Sequence, residues 1–119
     1  MYGIPKDLDL SEIVGQSTSQ IRVGQFDLQF SFGNIHFLIE SSVVLVSKGQ
    51  CIGKWQAGVW PTQCFFEVMN TEVVKYEVSD NTKIIIYLEN GIELHLIDDS
   101  KEFESMTILN QSDSDQWII

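Results

Sequence analysis

A chain of 119 residues fits one domain and leaves no room for two of ordinary size. Its 44% hydrophobic content, with seven Phe, three Trp and three Tyr, supplies a full core and argues against disorder except at the ends. Seventeen acids against seven bases give a formal charge of −10, a field that repels nucleic-acid phosphates and anionic lipid and attracts cationic surfaces.

No stretch approaches the run of about 20 apolar residues that crosses a bilayer as a helix. The opening MYGIPKDLDL lacks the charged-then-apolar layout of a signal peptide, so a cytoplasmic protein is expected. Cys51 and Cys64 are then two reduced residues, either small core side chains or free thiols, since a structural disulfide is unusual in a reducing compartment. Together with the distant His36 and His95 they lack zinc-ligand spacing, and no metal or cofactor is expected.

Residues 1–20 form a polar N-terminal segment, in which Asp9 or Ser11 is placed to cap a helical turn through Glu12, Ile13 and Val14 before Gly15. From Ile21 the period becomes two. Phe26, Leu28, Phe30 and Phe32 alternate with Asp27, Gln29 and Ser31, as in a half-buried strand. Gly33-Asn34 turns the chain into a return strand with Ile35, Phe37 and Ile39 on one face. Val43 to Val46 is a continuous apolar run, suited to a strand covered on both faces. A turn at Lys48-Gly49-Gln50 leads to a strand over Cys51 to Trp55, where Trp55 reads as a core residue.

After Pro61, the stretch from Thr62 to Met69 favours a short helix, although its aromatics also suit a strand. Val74, Tyr76 and Val78 then alternate, Asp80-Asn81 turns, and Ile84 to Leu88 is a strand. Asn90-Gly91, the strongest hairpin signal in the chain, leads to Ile92, Leu94 and Leu96 on one face. An offset of 57 superposes Ile35, Phe37 and Ile39 on these three, through either an internal duplication or two hairpins obeying the same physics. A last strand runs from Phe103 to Leu109, before a polar stretch over residues 110–116 and a closing Trp117-Ile118-Ile119. The expected architecture is mainly β, an α+β domain over 1–119. It consists of seven or eight strands in a curved antiparallel sheet, partly closed barrel or sandwich, with one or two short helices.

Catalytic motifs are missing. His36 and His95 each sit mid-strand and read as solvent-facing, and neither cysteine has a basic neighbour. Phosphate loops, a G-x-S-x-G elbow and H-E-x-x-H are absent, and no enzyme activity is expected. The densest constellation is Asp98, Asp99, Glu102 and Glu104, four carboxylates in seven residues. The spacing of a calcium loop is missing, and a glycosidase pair needs a cleft. What remains is an anionic contact patch, with Glu40, Asp80 or Glu89 as candidate neighbours, or a solvated loop. Trp60, between Gly58 and Pro61, is the second partner-binding candidate, because an exposed Trp adds large contact area at low entropy cost.

With W-x-x-G-x-W-P at Trp55 to Pro61 and L-E-N-G-I-E-L-H-L-I-D-D-S-K-E-F-E-S at Leu88 to Ser105, the small acidic chain resembles the immunity proteins of contact-dependent growth inhibition and related polymorphic bacterial toxins. The resemblance spans residues 18 to 109 in outline, transfers no functional residue and carries no family fold. It implies a cytosolic inhibitor that binds one cognate toxin domain, often a basic nuclease. The other readings are a small-ligand barrel lined by Phe26 to Phe37, and a non-catalytic subunit offering strand edges to a larger assembly.

Overall fold

The computed structural model describes residues 3–99, 104–112 and 115–119. Ten strands run β1 (Thr18–Val23), β2 (Leu28–Phe32), β3 (Ile35–Ile39), β4 (Ser42–Ser47), β5 (Gln50–Trp55), β6 (Val73–Asp80), β7 (Lys83–Leu88), β8 (Ile92–Ile97), β9 (Met106–Asn110) and β10 (Asp115–Ile118). Short 3-10 helices occupy Ser11–Ile13 and Gln63–Val68. The strands form two antiparallel five-stranded sheets, ordered β1-β2-β3-β9-β10 and β5-β4-β8-β7-β6, in a sandwich rather than a closed barrel.

The period-two pattern explains the layers. Phe30, Phe37 and Ile108 line up across the first sheet, and Leu45, Leu94 and Ile86 across the second. All six are fully buried and belong to one core cluster. Burying each such side chain is worth about 1.5–3 kcal/mol, so these rows fix strand register as well as stability. Phe32 meets Phe37 edge to face, with ring centroids 5.7 Å apart. Trp55 is fully buried, as its sequence context implies.

The path repeats. In the first half, β1-β2-β3 form a meander in one sheet and β4-β5 cross to the other. In the second half, β6-β7-β8 form a meander in the second sheet and β9-β10 cross to the first. Each half thus lends its last two strands to the other's meander, with β3 pairing β9 and β8 pairing β4. The equivalence noticed between two hairpins extends to a five-strand unit used twice. The hairpins differ by one turn residue: Phe32 pairs with Ile35 across Gly33-Asn34, whereas Glu89, Asn90 and Gly91 separate Leu88 from Ile92. Beyond that extra residue, Ile86 is what matches Phe30 across the two hairpins.

Several expectations need correction. Among the described residues there are ten strands rather than seven or eight, because two were hidden. The Gly24 N–H donates to the Asp27 carbonyl at 2.8 Å, closing a turn that separates β1 from β2. Phe26 lies on that turn, 61% exposed, instead of on the inward face. The polar stretch 110–116 runs into β10, which pairs with β9 from Asp115↔Asn110 to Ile118↔Thr107. Val74 faces outward because the register shifts between Val73 and Lys75, putting two residues where one belongs. In β4, Val44 and Val46 are half-buried, so its outer face is only partly covered. The stretch after Pro61 is helical, as favoured, but in 3-10 form. Phe103, expected to begin the last strand, lies outside the described residues; β9 begins at Met106.

Candidate functional site

The sandwich has four edge strands, and three of them are dealt with. Residues 3–17 run beside β6: the Ile4 N–H donates to the Asn81 carbonyl (2.9 Å), the Leu10 N–H to the Tyr76 hydroxyl (3.0 Å) and the Gly15 N–H to the Val73 carbonyl (2.8 Å). The 3-10 helix 63–68 lies against β5, where the Cys64 thiol donates to the Ile52 carbonyl at 2.9 Å. It fits there because position 53 is glycine; a Cβ would overlap the Cys64 sulfur and crowd the Thr62 hydroxyl. β10 is four residues long. β1 is different. Its first residue is tied to the 70–72 turn, with Thr18 N–H to the Thr71 carbonyl at 3.1 Å and Asn70 N–H to the Thr18 carbonyl at 3.0 Å. Beyond it, residues 20–23 pair only with β2 among the described residues.

Beside that edge lies an open groove of about 860 Å³. Ile21 and Val23, spaced two apart on β1 and therefore on the same face, form one wall. The segment from Trp60 through Met69 forms the other. Trp60 is 76% exposed and Phe66 80% exposed, whereas Phe65 between them is buried and anchors the helix in the core. The Gly58 N–H donates to the Gln25 carbonyl at 2.9 Å, drawing the exposed Val59 and Trp60 toward exposed Phe26. Apolar surface concentrated this way raises the free energy of the uncovered protein, and such patches mark contact sites.

Charge is one-sided. Among the lining residues none is cationic and Glu67 is anionic. The Glu67 carbonyl accepts from Asn90 Nδ2 (3.0 Å) and the Thr71 hydroxyl (3.1 Å). The neighbouring Glu89 N–H donates to the Glu72 carbonyl at 2.9 Å, and Glu72 bridges Ser17 just before β1. Three exposed carboxylates, those of Glu67, Glu72 and Glu89, thus belong to one group of turns at this end of the groove.

The acidic stretch read from sequence lies where β8 leaves the second sheet, the end from which β5 also departs toward Trp60. Asp98 is half-buried and accepts from the buried Ser105 hydroxyl, while exposed Asp99 accepts from the Ser42 hydroxyl at 2.5 Å. Glu104 is exposed, and Glu102 lies outside the described residues. Glu40 joins this end through its N–H to the Ser105 carbonyl (2.8 Å), and Asp80 through Thr82, whose carbonyl takes the Asp98 N–H (2.7 Å). Asp80 is held below the usual carboxylate range by the Thr82 hydroxyl and N–H. Glu89 sits at the opposite end of β7. Two of these carboxylates therefore brace the β8 exit as well as adding to the field.

Among the described residues no catalytic triad is assembled. The Ser31 hydroxyl and His36 Nδ1 lie 2.7 Å apart, but Ser31 is buried and no described carboxylate partners His36 Nε2. His95 Nε2 contacts Glu93 at 3.0 Å on the outer face of β8. Among the described residues, no three His, Cys, Asp or Glu side chains converge as metal ligands. Phe30, Phe32 and Phe37 pack in the shared core. No helix among the described residues is long and apolar enough to cross a membrane. The chain matches no protein-family model, no curated protein and no solved structure.

Proposed function

We propose that this chain is a non-catalytic binding protein for a basic protein partner, and that the partner is a toxin domain which it holds inactive in the cytosol. The observation that carries the binding reading is the groove beside β1, where Trp60 and Phe66 stand almost fully exposed. Aromatic anchors at the centre of an interface supply most of its energy, and their exposure here is costly unless a partner covers them. The formal charge of −10 selects a cationic partner and speeds the encounter. The toxin assignment rests on the sequence resemblance and on this charge. The exposed Asp99 and Glu104, with Glu102 beside them in sequence, act by steering, and Trp60 acts by contact.

The test is genetic and then biochemical. The reading frame beside the gene for this chain is expressed alone and together with it. The expected results are growth arrest by the neighbour alone, rescue by the parent chain, and loss of rescue with Trp60→Ala/Phe66→Ala. A neighbour product that is harmless and does not bind the chain would remove the toxin assignment. Rescue that survives the double substitution would remove the groove.

A further inference from the structure

The groove does more than expose apolar side chains; it runs along a strand whose outer edge is unpaired among the described residues. Backbone N–H and C=O groups on such an edge are a template for one more strand, and natural proteins normally block them. In this molecule the 3-10 helix lies against the β5 edge and residues 3–17 accompany β6, while residues 20–23 of β1 stay open. Resting on the reading of a basic protein partner, we propose that β1 accepts a sixth strand. An extended segment of that partner pairs with residues 20–23 and sets alternate apolar side chains between Ile21 and Val23 on one side and Trp60 and Phe66 on the other. A Lys or Arg two to four positions along reaches Glu67, Glu72 and Glu89.

Three features single out this occupant. A strand repeats its side-chain direction every two residues, and Ile21 and Val23 offer contacts with that spacing. A docked helix would use the apolar walls but leave the edge groups unpaired, whereas an added strand satisfies both. The acids at the Thr18 end of the groove fix the sign of the incoming residue, since a second anion there would be repelled. A second copy of this chain is disfavoured for the same reason: it would bring another ten net negative charges against the first. The register shift at Ser19 bends β1 just where pairing to the 70–72 turn ends, so a guest strand starts beyond it.

The experiment uses the full chain and synthetic peptides of defined design. The probe is an extended peptide of about seven residues with apolar side chains at alternate positions, one of them Trp, and a Lys-Lys pair at one end. Controls are a scrambled peptide of the same composition and versions with backbone amides N-methylated along one edge or the other. Binding is followed by fluorescence, and hydrogen exchange at each amide by NMR. The expected results are saturable binding of the probe and loss of about tenfold in affinity for the scrambled peptide and for one of the methylated edges. Among residues 20–23, the amides that face away from β2 should exchange at least about tenfold more slowly when bound. Glu67→Gln/Glu72→Gln/Glu89→Gln should weaken binding by about fivefold at low salt, in line with exposed charge pairs of modest strength. Unchanged exchange at 20–23, with binding still abolished by Trp60→Ala/Phe66→Ala, would overturn strand addition while leaving the groove reading intact. Binding indifferent to that double substitution would sink the groove reading itself. Absence of binding, or dimers of the chain formed through β1 in sedimentation, would also overturn the proposal.

Discussion

β1 and β6 occupy the same place in the two halves, each the outer strand of a three-strand meander. Their surroundings differ. Residues 3–17 run beside β6 and bury Ile4, Leu8, Leu10 and Ile13 in the core. β6 also carries Lys75 and Glu77 on its exposed surface and two register shifts, all of which discourage pairing with another chain. β1 has one register shift and one charge, Arg22, and then an edge that is unpaired among the described residues and flanked by the exposed Trp60 and Phe66. One path used twice thus gives one edge closed by its own chain and one left open among the described residues. The open one is the better candidate for use, since protecting an edge costs this chain only a short segment and β1 did not receive one.

The cover of β6 carries the largest expected effect. Leu10→Ala or Ile13→Ala removes a fully buried side chain and should cost about 2–5 kcal/mol in urea melts. Loosening that segment should also let the protein self-associate through β6, visible in light scattering. Trp60→Ala and Phe66→Ala, at the open edge, should each change stability by less than about 0.5 kcal/mol. Equal destabilisation by both sets would mean that the aromatics are structural.

The equivalence of the halves is tested next. Phe37 and Leu94 occupy matching inward positions, and both are fully buried. Truncation to Ala should cost about 3–5 kcal/mol for Phe37 and about 2–5 kcal/mol for Leu94. Gln29 and Glu93 on the outer faces should cost less than about 1 kcal/mol. A near-neutral Leu94→Ala would mean that the second sheet contributes little to the core.

A smaller effect is expected where the helix meets β5. Gly53→Ala should destabilise by about 1–3 kcal/mol through overlap with the Cys64 sulfur. Cys64→Ala should recover part of that loss, a coupling that a double-mutant cycle measures. Additive costs would show that the sulfur is not what position 53 accommodates.

The smallest effect concerns pH. The Tyr87 hydroxyl donates to Glu77 Oε1 at 2.6 Å, and losing that bond on ionisation, with burial and the charges of Glu77 and Glu93, pushes its pKa up to about 12. A raised folded-state pKa stabilises fully below the unfolded phenol value near 10, and the contribution disappears as pH rises from there toward 12. Tyr87→Phe should therefore be slightly less stable than the parent near about pH 8, with the difference closing above about pH 10. A gap that widens with alkalinity would contradict the assignment.

Much of the fold was legible. Gly33-Asn34 and Asn90-Gly91 mark real hairpins, and the beat of Ile35, Phe37 and Ile39 and of Ile92, Leu94 and Leu96 faces the core. The exchange of strand pairs between sheets was not, because β3 meets β9 about seventy residues away and no local pattern records that pairing. Phe26 misled because alternation continues through a turn that a single Gly24–Asp27 bond closes. At the site, Trp60 stood out beside glycine and proline, but Phe66 did not. Which of Phe65 and Phe66 points outward depends on the phase of a 3-10 helix set by contact with β5. Glu67, Glu72 and Glu89 belong to separate turns, and only tertiary hydrogen bonds gather them.

Whether a partner seats against the open edge of β1 is decided by amide hydrogen exchange on the full chain with and without the purified product of the neighbouring reading frame. Slowed exchange on binding should be concentrated in residues 19–23 and 58–69, with little change along β6. Protection confined to the 98–104 connection, or to the outer faces of the sheets, with none at β1 would contradict it.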